Sequence, residues 1–239
     1  MRKICLTFDD GLESHYEIAK PLLSKNDLRA TFFVTNNKSL WLSHDLMFEK
    51  NMSEKGFDFK HLEEFEDEGF EIGNHTFNHL NLTTLSDEQI IKEITMTSET
   101  LSDHKVRNID TFSYPGYYTN FRVSNIVEYL GFSKARTGYD YQDGGWAKWE
   151  IDEKPESDRP KIKYPEDSES EFLIKPKGIL NHVYGFKEFI EDVKNMSEEE
   201  SAVFVFHGLK EKSLKKDFEK IVDFLSSEPS IKTVTFRDL

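Results

Sequence analysis

Two neighbouring carboxylates near the start of the chain could perform chemistry together. Asp9 and Asp10 follow the apolar run Ile4–Phe8 and precede Gly11. Adjacent side chains on an extended backbone point in opposite directions, so the two carboxylates are suited to different tasks. One can bind a metal ion while the other accepts a proton from water bound to that ion. Alternatively, the same residues form an acidic turn that begins a helix.

Three histidines are candidates for the rest of such a site. His75 and His79 are separated by three residues, a spacing that on one helical turn places both imidazoles on the same face, where they could bind one metal ion. His207 ends the apolar run Ala202–Phe206, and the glycine after it permits a ligand or loop to approach closely. Each histidine alone could equally be a surface or core residue. The other histidines lack such context, and we predict that His15, His44, His61 and His104 lie on the surface, whereas His182 is a weak candidate for the pocket.

Short apolar runs that alternate with helical patterns must position these residues. The predicted strands are 4–8, 30–34, 69–73, 111–114, 132–136, 202–206 and 233–236, and the predicted helices are 14–25, 59–68, 86–102, 120–130, 186–196 and 214–225. Ser86 and Gln89 predict a capping box for the third helix. This alternation indicates parallel βαβ units and favours an α/β barrel, in which the residues that follow strands meet at one rim.

Composition limits the class of protein. The 239 residues carry a formal net charge of −14, which argues against nucleic acid as a partner, and no run is long and apolar enough for a membrane helix. The one cysteine, Cys5, lies in an apolar run and is expected in the core. The alternation of strand and helix patterns is not recognisable over about 138–170. We predict that this stretch is a long loop inserted in a single domain spanning 1–239. No signal segment precedes the first strand, so the sequence as given indicates a cytoplasmic protein, or an extracytoplasmic one if a leader was removed.

Four motifs together resemble the polysaccharide deacetylase family, also called the NodB-homology domain or carbohydrate esterase family 4. In this sequence they are 7–11 (TFDDG), 75–79 (HTFNH), 112–117 (FSYPGY) and 205–208 (VFHG), in the family's order and at approximately its spacing. The resemblance implies a distorted (β/α) barrel with seven or eight strands. It also implies removal of an N-acyl group, usually acetyl, from an amino sugar or polysaccharide.

The resemblance assigns a role to each motif. Asp10, His75 and His79 would bind a divalent metal, usually Zn²⁺, with Co²⁺, Ni²⁺ or Mn²⁺ as alternatives. Asp9 would be the general base and His207 the general acid that protonates the leaving amine. The turn Pro115, Gly116 and Tyr117 would supply a backbone N–H to the oxyanion, and Tyr117, Tyr118 and Trp146 are candidates for stacking on sugar rings.

The chain departs from the family in two places. The family often has an arginine at the position of Ser113, where it orients the base, and we hypothesise that Arg136 takes its place. The family's fourth motif has no clean match, so Asp140, Asp143, Trp146 and Trp149 are the candidates for a partner of His207 and a hydrophobic wall.

The sequence leaves two other functions open. The chain could hydrolyse another C–N bond, such as a formamide or cyclic amide of a small metabolite. It could also be a silent carbohydrate-binding member of the family, although the retained ligands and base argue against that. Two histidines and one carboxylate also bind Fe(II) in oxygenases, but there Asp9 and His207 would have no obvious task.

Overall fold

Eight parallel strands form the centre of the protein in a computed structural model, which describes residues 1–36, 54–138, 171–181 and 183–239. The strands are β1 (Arg2–Asp9), β2 (Thr31–Val34), β3 (Glu71–Asn74), β4 (Thr111–Ser113), β5 (Lys134–Arg136), β6 (Gly178–Ile179), β7 (Ser201–Phe206) and β8 (Ile231–Val234). They are ordered β5-β4-β3-β2-β1-β7-β6, with β8 beside β1. This arrangement confirms the predicted distorted (β/α) barrel with seven or eight strands.

The distortion is concentrated at the long first strand. The first half of β1 pairs with β8, from Arg2 to Cys5, and its second half pairs with β2, from Thr7 to Asp9. On its other side β1 pairs with β7 along most of its length. Ile174 forms an isolated parallel bridge to Arg136 on β5, and a few residues later the chain enters β6 and pairs with β7. The segment 174–179 therefore runs from one edge strand of the sheet towards the other.

Helices follow the strands as the alternating pattern predicted. They are α1 (Lys20–Lys25), α2 (Leu62–Asp67), α3 (Asp87–Asp103), α4 (Phe121–Tyr129), α5 (Phe186–Asn195) and α6 (Lys212–Ser227). Ser86 and Gln89 form the predicted capping box at the start of α3. A five-residue π-helix, His15–Ala19, precedes α1, so the helix predicted over 14–25 has two parts.

Strand alternation explains which side chains face the inside of the barrel. Ile4, Leu6 and Phe8 belong to the large core under the helices, whereas Cys5 packs with Phe33 in a small inner cluster. Successive side chains of a strand point to opposite faces, so Asp9 faces the same way as Cys5. The burial of Cys5 confirms its predicted place in the core.

Some predictions need correction or lie outside the described residues. The last strand begins and ends two residues earlier than the predicted 233–236, and the short β6 was missed because two residues give no readable alternation. The predicted loop at 138–170 falls almost wholly outside the described residues, as do His44, Asp140, Asp143, Trp146, Trp149 and His182. Within the described ranges, none of the helices combines the length and apolar character that crossing a membrane requires.

Candidate active site

The carboxyl ends of four strands bring the predicted residues together. Asp9 ends β1, and His75 follows β3 directly. Arg136 ends β5, and His207 follows β7. All neighbouring strand pairs are parallel, so these positions share one rim of the barrel, as the sequence predicted.

Asp10, His75 and His79 form a cluster with the ligand types of a metal site. Oδ1 of Asp10 lies 3.2 Å from Nε2 of His75 and 3.3 Å from Nε2 of His79. One ligand atom from each residue lies within 4.8 Å of the other two, and Asp10 and His75 are buried. The arrangement brings together a carboxylate and two imidazoles, which is a typical ligand set for a divalent cation.

The protonation of His75 fits a cation in this cluster. Nδ1 of His75 lies 2.8 Å from the carbonyl oxygen of Ser113, which can only accept, so Nδ1 carries the hydrogen. Burial lowers the pKa of His75, although the nearby Asp9 carboxylate raises it, and the ring is therefore neutral near pH 7. Nε2 consequently presents a lone pair to Asp10, an arrangement that a metal ion between them would make favourable.

The loop that carries the two histidines is not the predicted helical turn. Residues 75–79 are irregular, with positive φ at Thr76 (63°) and His79 (55°). Asn74 accepts a hydrogen bond from the Thr76 amide, and Glu93 on α3 accepts hydrogen bonds from the amide (2.7 Å) and side chain (2.6 Å) of Asn78. The spacing of the histidines predicted their convergence correctly, but side-chain hydrogen bonds produce it in place of helical periodicity.

Asp9 lies beside this cluster in a buried ion pair. Its Oδ2 accepts a hydrogen bond from Nη2 of Arg136, which also donates to Oγ of Ser113 at 2.5 Å. The Asp9 and Arg136 side chains are almost completely buried. Burial by itself raises the pKa of Asp9, but Arg136, together with His75 and His207, outweighs this effect and lowers it to about 2. Asp9 is therefore ionised at any physiological pH.

The second carboxylate oxygen of Asp9, Oδ1, has a different environment from Oδ2. Oδ1 is buried and has no hydrogen-bond partner among the residues that the structure describes. A buried carboxylate oxygen without a hydrogen-bond donor lowers the stability of the fold, so its presence here indicates a functional role. Nε2 of His207 lies 3.9 Å from Asp9 Oδ2 and 3.3 Å from the hydroxyl of Tyr117.

The turn after β4 contributes backbone groups at the same rim. Residues Pro115–Tyr117 form a 3₁₀ turn in which Gly116 and Tyr117 both have positive φ. The Tyr117 amide donates to the carbonyl of Tyr114, and the amide of Gly116 has no acceptor among the described residues. A Cβ on Gly116 would lie 2.9 Å from the ring of Tyr118, so only glycine fits here without displacing that ring.

His15 contradicts the prediction that it lies on the surface. It is fully buried, and its ring contacts the main chain of Leu12 and His207. His61 is partly buried against Tyr16, whereas His104 is exposed as predicted. The sequence reasoning missed His15 because only its position four residues after Gly11, beside the Asp9–Asp10 pair, hinted at a role in the site.

A family comparison agrees with this geometry. A sequence model described as "Polysaccharide deacetylase" matches residues 1–135, which include Asp9, Asp10, His75 and His79. The chain belongs to the polysaccharide deacetylase family. The match ends one residue before Arg136 and does not include His207, so the family model does not cover these two positions.

Individual relatives share about a third or less of their residues with this chain, over part of its length. The chain is 34% identical over 99 residues to the peptidoglycan-N-acetylmuramic acid deacetylase PdaA of Bacillus subtilis, covering 41% of this chain and 32% of PdaA. It is 28% identical over 145 residues, 60% of each chain, to a peptidoglycan-N-acetylglucosamine deacetylase of Bacillus cereus. The chain spans less than half the length of the first curated relatives it matches.

A solved structure shares the fold. The structure of PdaA, a family 4 carbohydrate esterase of Bacillus subtilis, superimposes with a TM-score of 0.62 and 19% sequence identity. That likeness covers 99% of this chain and 80% of PdaA. At this level of identity the similarity identifies the barrel alone.

Proposed function

We propose that this protein is a metal-dependent amide hydrolase that removes an N-acyl group, preferentially acetyl, from an amino sugar in an oligosaccharide or polysaccharide. One observation carries the proposal: the buried Asp9 lies at the same rim of the barrel as the carboxylate–imidazole cluster, and its Oδ2 is 3.9 Å from Nε2 of His207. The similarity to deacetylases of peptidoglycan supports this substrate class. We take residues 1–239 as one catalytic domain.

Asp10, His75 and His79 are the residues that would hold the metal. Two imidazoles and one carboxylate suit Zn²⁺, and Co²⁺, Ni²⁺ or Mn²⁺ can use the same ligands. When bound, a divalent cation supplies Lewis acidity, which makes nearby water more acidic and the amide carbonyl more electrophilic. Nδ1 of His75 holds the ring in the required tautomer through its hydrogen bond to Ser113.

Asp9 is the proposed general base. Its Oδ2 is occupied by Arg136, so Oδ1 is the atom that accepts the proton as the water oxygen attacks the amide carbon. The low pKa of Asp9 keeps this oxygen ionised, but it also makes the carboxylate a weak base. Arg136 thus fixes the position and charge of Asp9 and leaves Oδ1 available to accept the proton.

His207 is the proposed general acid. Cleavage of the C–N bond leaves the electron pair on nitrogen, and an amine leaves only when that nitrogen receives a proton. The His207 imidazole is about one third exposed, with its Nε2 3.9 Å from Oδ2 of Asp9, and it is the proposed donor. The products are the free amino sugar and the carboxylic acid, and the hydroxyl of Tyr117 helps to orient the ring.

Gly116 is the proposed oxyanion donor, and the tyrosines after it line the sugar site. Among the three residues of the turn, proline has no N–H and the Tyr117 amide donates to Tyr114, which leaves the amide of the exposed residue Gly116. Tyr117 and Tyr118 are only partly buried, and their rings are the proposed contacts for the sugar. Trp146, also predicted to contact sugar, lies outside the described residues.

The proposal is tested by turnover of N-acetylglucosamine oligomers, with release of acetate as the readout. We expect activity that is abolished by a chelator and restored by Zn²⁺ or Co²⁺, and a loss of about 100-fold or more in Asp9→Asn, since the base is removed. Formamides and cyclic amides of small metabolites are assayed in parallel. If only those are cleaved, the sugar substrate is wrong; if nothing is cleaved by the metal-loaded protein, the enzymatic proposal is wrong.

A further inference from the structure

The buried His15 contacts the main chain of the proposed general acid. The amide of Leu12 donates to Nδ1 of His15 at 3.1 Å, and Nε2 of His15 lies 3.1 Å from the carbonyl oxygen of His207. An amide can only donate, so Nδ1 is the acceptor and the ring hydrogen is on Nε2, from which it is donated to the carbonyl. The two partners thus fix one tautomer of His15.

The ring of His15 is held by aromatic residues of the core. The ring of His15 packs edge-to-face on Phe8 at 5.3 Å between centroids and lies 5.9 Å from Phe32. Phe8 stacks in turn on Phe206, the last residue of β7, at 5.0 Å. His15 is therefore attached to the rigid part of the barrel, and the chain segment that it contacts is the one leaving that barrel.

The residue before His15 holds the same segment. The amide of Leu209 donates to Oγ of Ser14 at 3.0 Å, so two consecutive residues bind the main chain on each side of Gly208. β7 ends at Phe206, so pairing within β7 does not fix the backbone from His207 onwards. The start of the π-helix takes over that task, and single π-turns are frequent at functional sites.

His207 needs such support because its own side chain is lightly packed. About a third of that side chain is exposed (32%), and the described polar contacts of its ring are with Tyr117 and, at 3.9 Å, Asp9. Asp9, by contrast, is fixed by Arg136. The distance between base and acid therefore depends on where the backbone of His207 is held.

We infer that His15 is a positioning residue for the deacetylation proposed above: its Nε2–H fixes the carbonyl of His207 so that the His207 imidazole faces the leaving nitrogen opposite Asp9. This inference rests on the proposed function, because it takes His207 as the general acid. Burial lowers the pKa of His15 to about 3, so the ring stays neutral and keeps its single hydrogen on Nε2 at neutral pH.

Two substitutions separate the two contacts of the ring. His15→Gln can place an amide nitrogen near the position of Nε2 and keep the donor to His207, whereas His15→Asn reaches only the position of Nδ1 and loses it. On N-acetylglucosamine oligomers we expect kcat to fall about 10–100-fold in His15→Asn, with KM unchanged, and only a few-fold in His15→Gln. The exposed His104→Asn is the matched control. Equal losses in both His15 variants would overturn the inference.

A second substrate distinguishes a loss of His207 positioning from a disturbance of the whole active site. An aryl ester such as 4-nitrophenyl acetate has a leaving group that needs no proton, so it bypasses the general acid. We expect His15→Asn to hydrolyse it at the wild-type rate, and to add no further loss on the amide when combined with His207→Ala. A parallel loss on ester and amide would assign His15 a merely structural role.

A crystal structure of His15→Asn makes the test independent of turnover. We expect the His207 backbone to shift and the Nε2–Oδ2 separation from Asp9 to lengthen, while the Asp10–His75–His79 cluster stays in place. An unchanged His207 would overturn the inference even if the wild type proved active. A wild type without amide hydrolysis would instead refute the proposed function, and this structural result would still decide whether His15 positions His207. Thermal unfolding of both variants checks that they fold. If His15→Asn does not fold, His15→Gln still tests the inference: a nearly unchanged kcat and an unmoved His207 support the donor role, and a large loss or a shifted His207 overturns it.

Discussion

Arg136 and Asp9, 127 positions apart in the chain, form a fully buried ion pair at the rim of the barrel. The same nitrogen of Arg136 also contacts Ser113, whose position on β4 is directly paired with that of Arg136 on β5. This geometry supports the hypothesis that Arg136 acts in place of the arginine that the family often has at position 113. The two positions share one face of neighbouring strands, so a guanidinium from either can point at the same carboxylate.

Replacement of Arg136 by alanine should damage both stability and turnover. The change leaves Asp9 buried without its counter-charge, which costs about 3–5 kcal/mol of unfolding free energy. Chemical denaturation measures this loss, and kcat should fall because Asp9 is no longer held ionised. In the double variant Ser113→Arg/Arg136→Ser, we expect much of the activity to return. Full activity in Arg136→Ala would show that Asp9 does not need Arg136. No recovery in the double variant would show that an arginine at position 113 cannot take the place of Arg136.

Removal of a proposed ligand should abolish metal binding. His79→Ala and Asp10→Asn each take one of three ligand side chains, so the purified variants should contain little zinc by elemental analysis while the wild type binds it stoichiometrically. The matched control is His104→Ala, an exposed histidine outside the cluster. Wild-type zinc content in His79→Ala would mean that the cluster is not the metal site.

Glu93 should affect metal affinity without being a ligand. Its carboxylate holds the amide and side chain of Asn78, the neighbour of His79, from helix α3. We expect Glu93→Ala to weaken zinc binding about 10–100-fold in a competition titration, and Glu93→Gln to lose less because one acceptor remains. The exposed Glu99→Gln on the same helix serves as control, and unaltered affinity in Glu93→Ala would contradict the prediction.

His15 should make the stability of the fold depend on pH. Burial, with a smaller contribution from His207, lowers its pKa from 6.5 to about 3, although the His207 carbonyl and Asp9 raise it. Below pH 6.5 the unfolded chain therefore binds a proton that the folded chain does not, and stability falls with pH by up to about 1.4 kcal/mol per unit. The stability is complete above pH 6.5 and is lost progressively towards pH 3.

Urea denaturation of the wild type and His15→Gln at pH 7 and pH 5 measures this effect. Metal binding also depends on pH, so the relevant quantity is the difference between the two proteins, in which that contribution cancels. The wild type should lose about 2 kcal/mol more than His15→Gln between these two pH values. Equal losses would mean that His15 is not a buried neutral base.

The local pattern of the sequence predicted the elements and the reacting groups. The apolar runs that end at Asp9 and before His207 are local features, and hydrophobic periodicity is sufficient to recognise them. The spacing of His75 and His79 is also local and is read directly from the residue types. Parallel strands have their carboxyl ends at one rim, so the alternation of strands and helices also determined that these residues would meet. The structure agrees on the strands and on the shared rim, but it brings His75 and His79 together in an irregular loop and not on the predicted helical turn.

Only the tertiary structure decided which residues support that site. The contacts of Arg136 with Asp9, of His15 with His207 and of Glu93 with Asn78 join different elements. They depend on strand order, on register and on which faces are buried, and local propensity does not encode these quantities. A histidine four residues after Gly11 thus looked like a surface residue, because its burial depends on the core of Phe8 and Phe32 that forms around it.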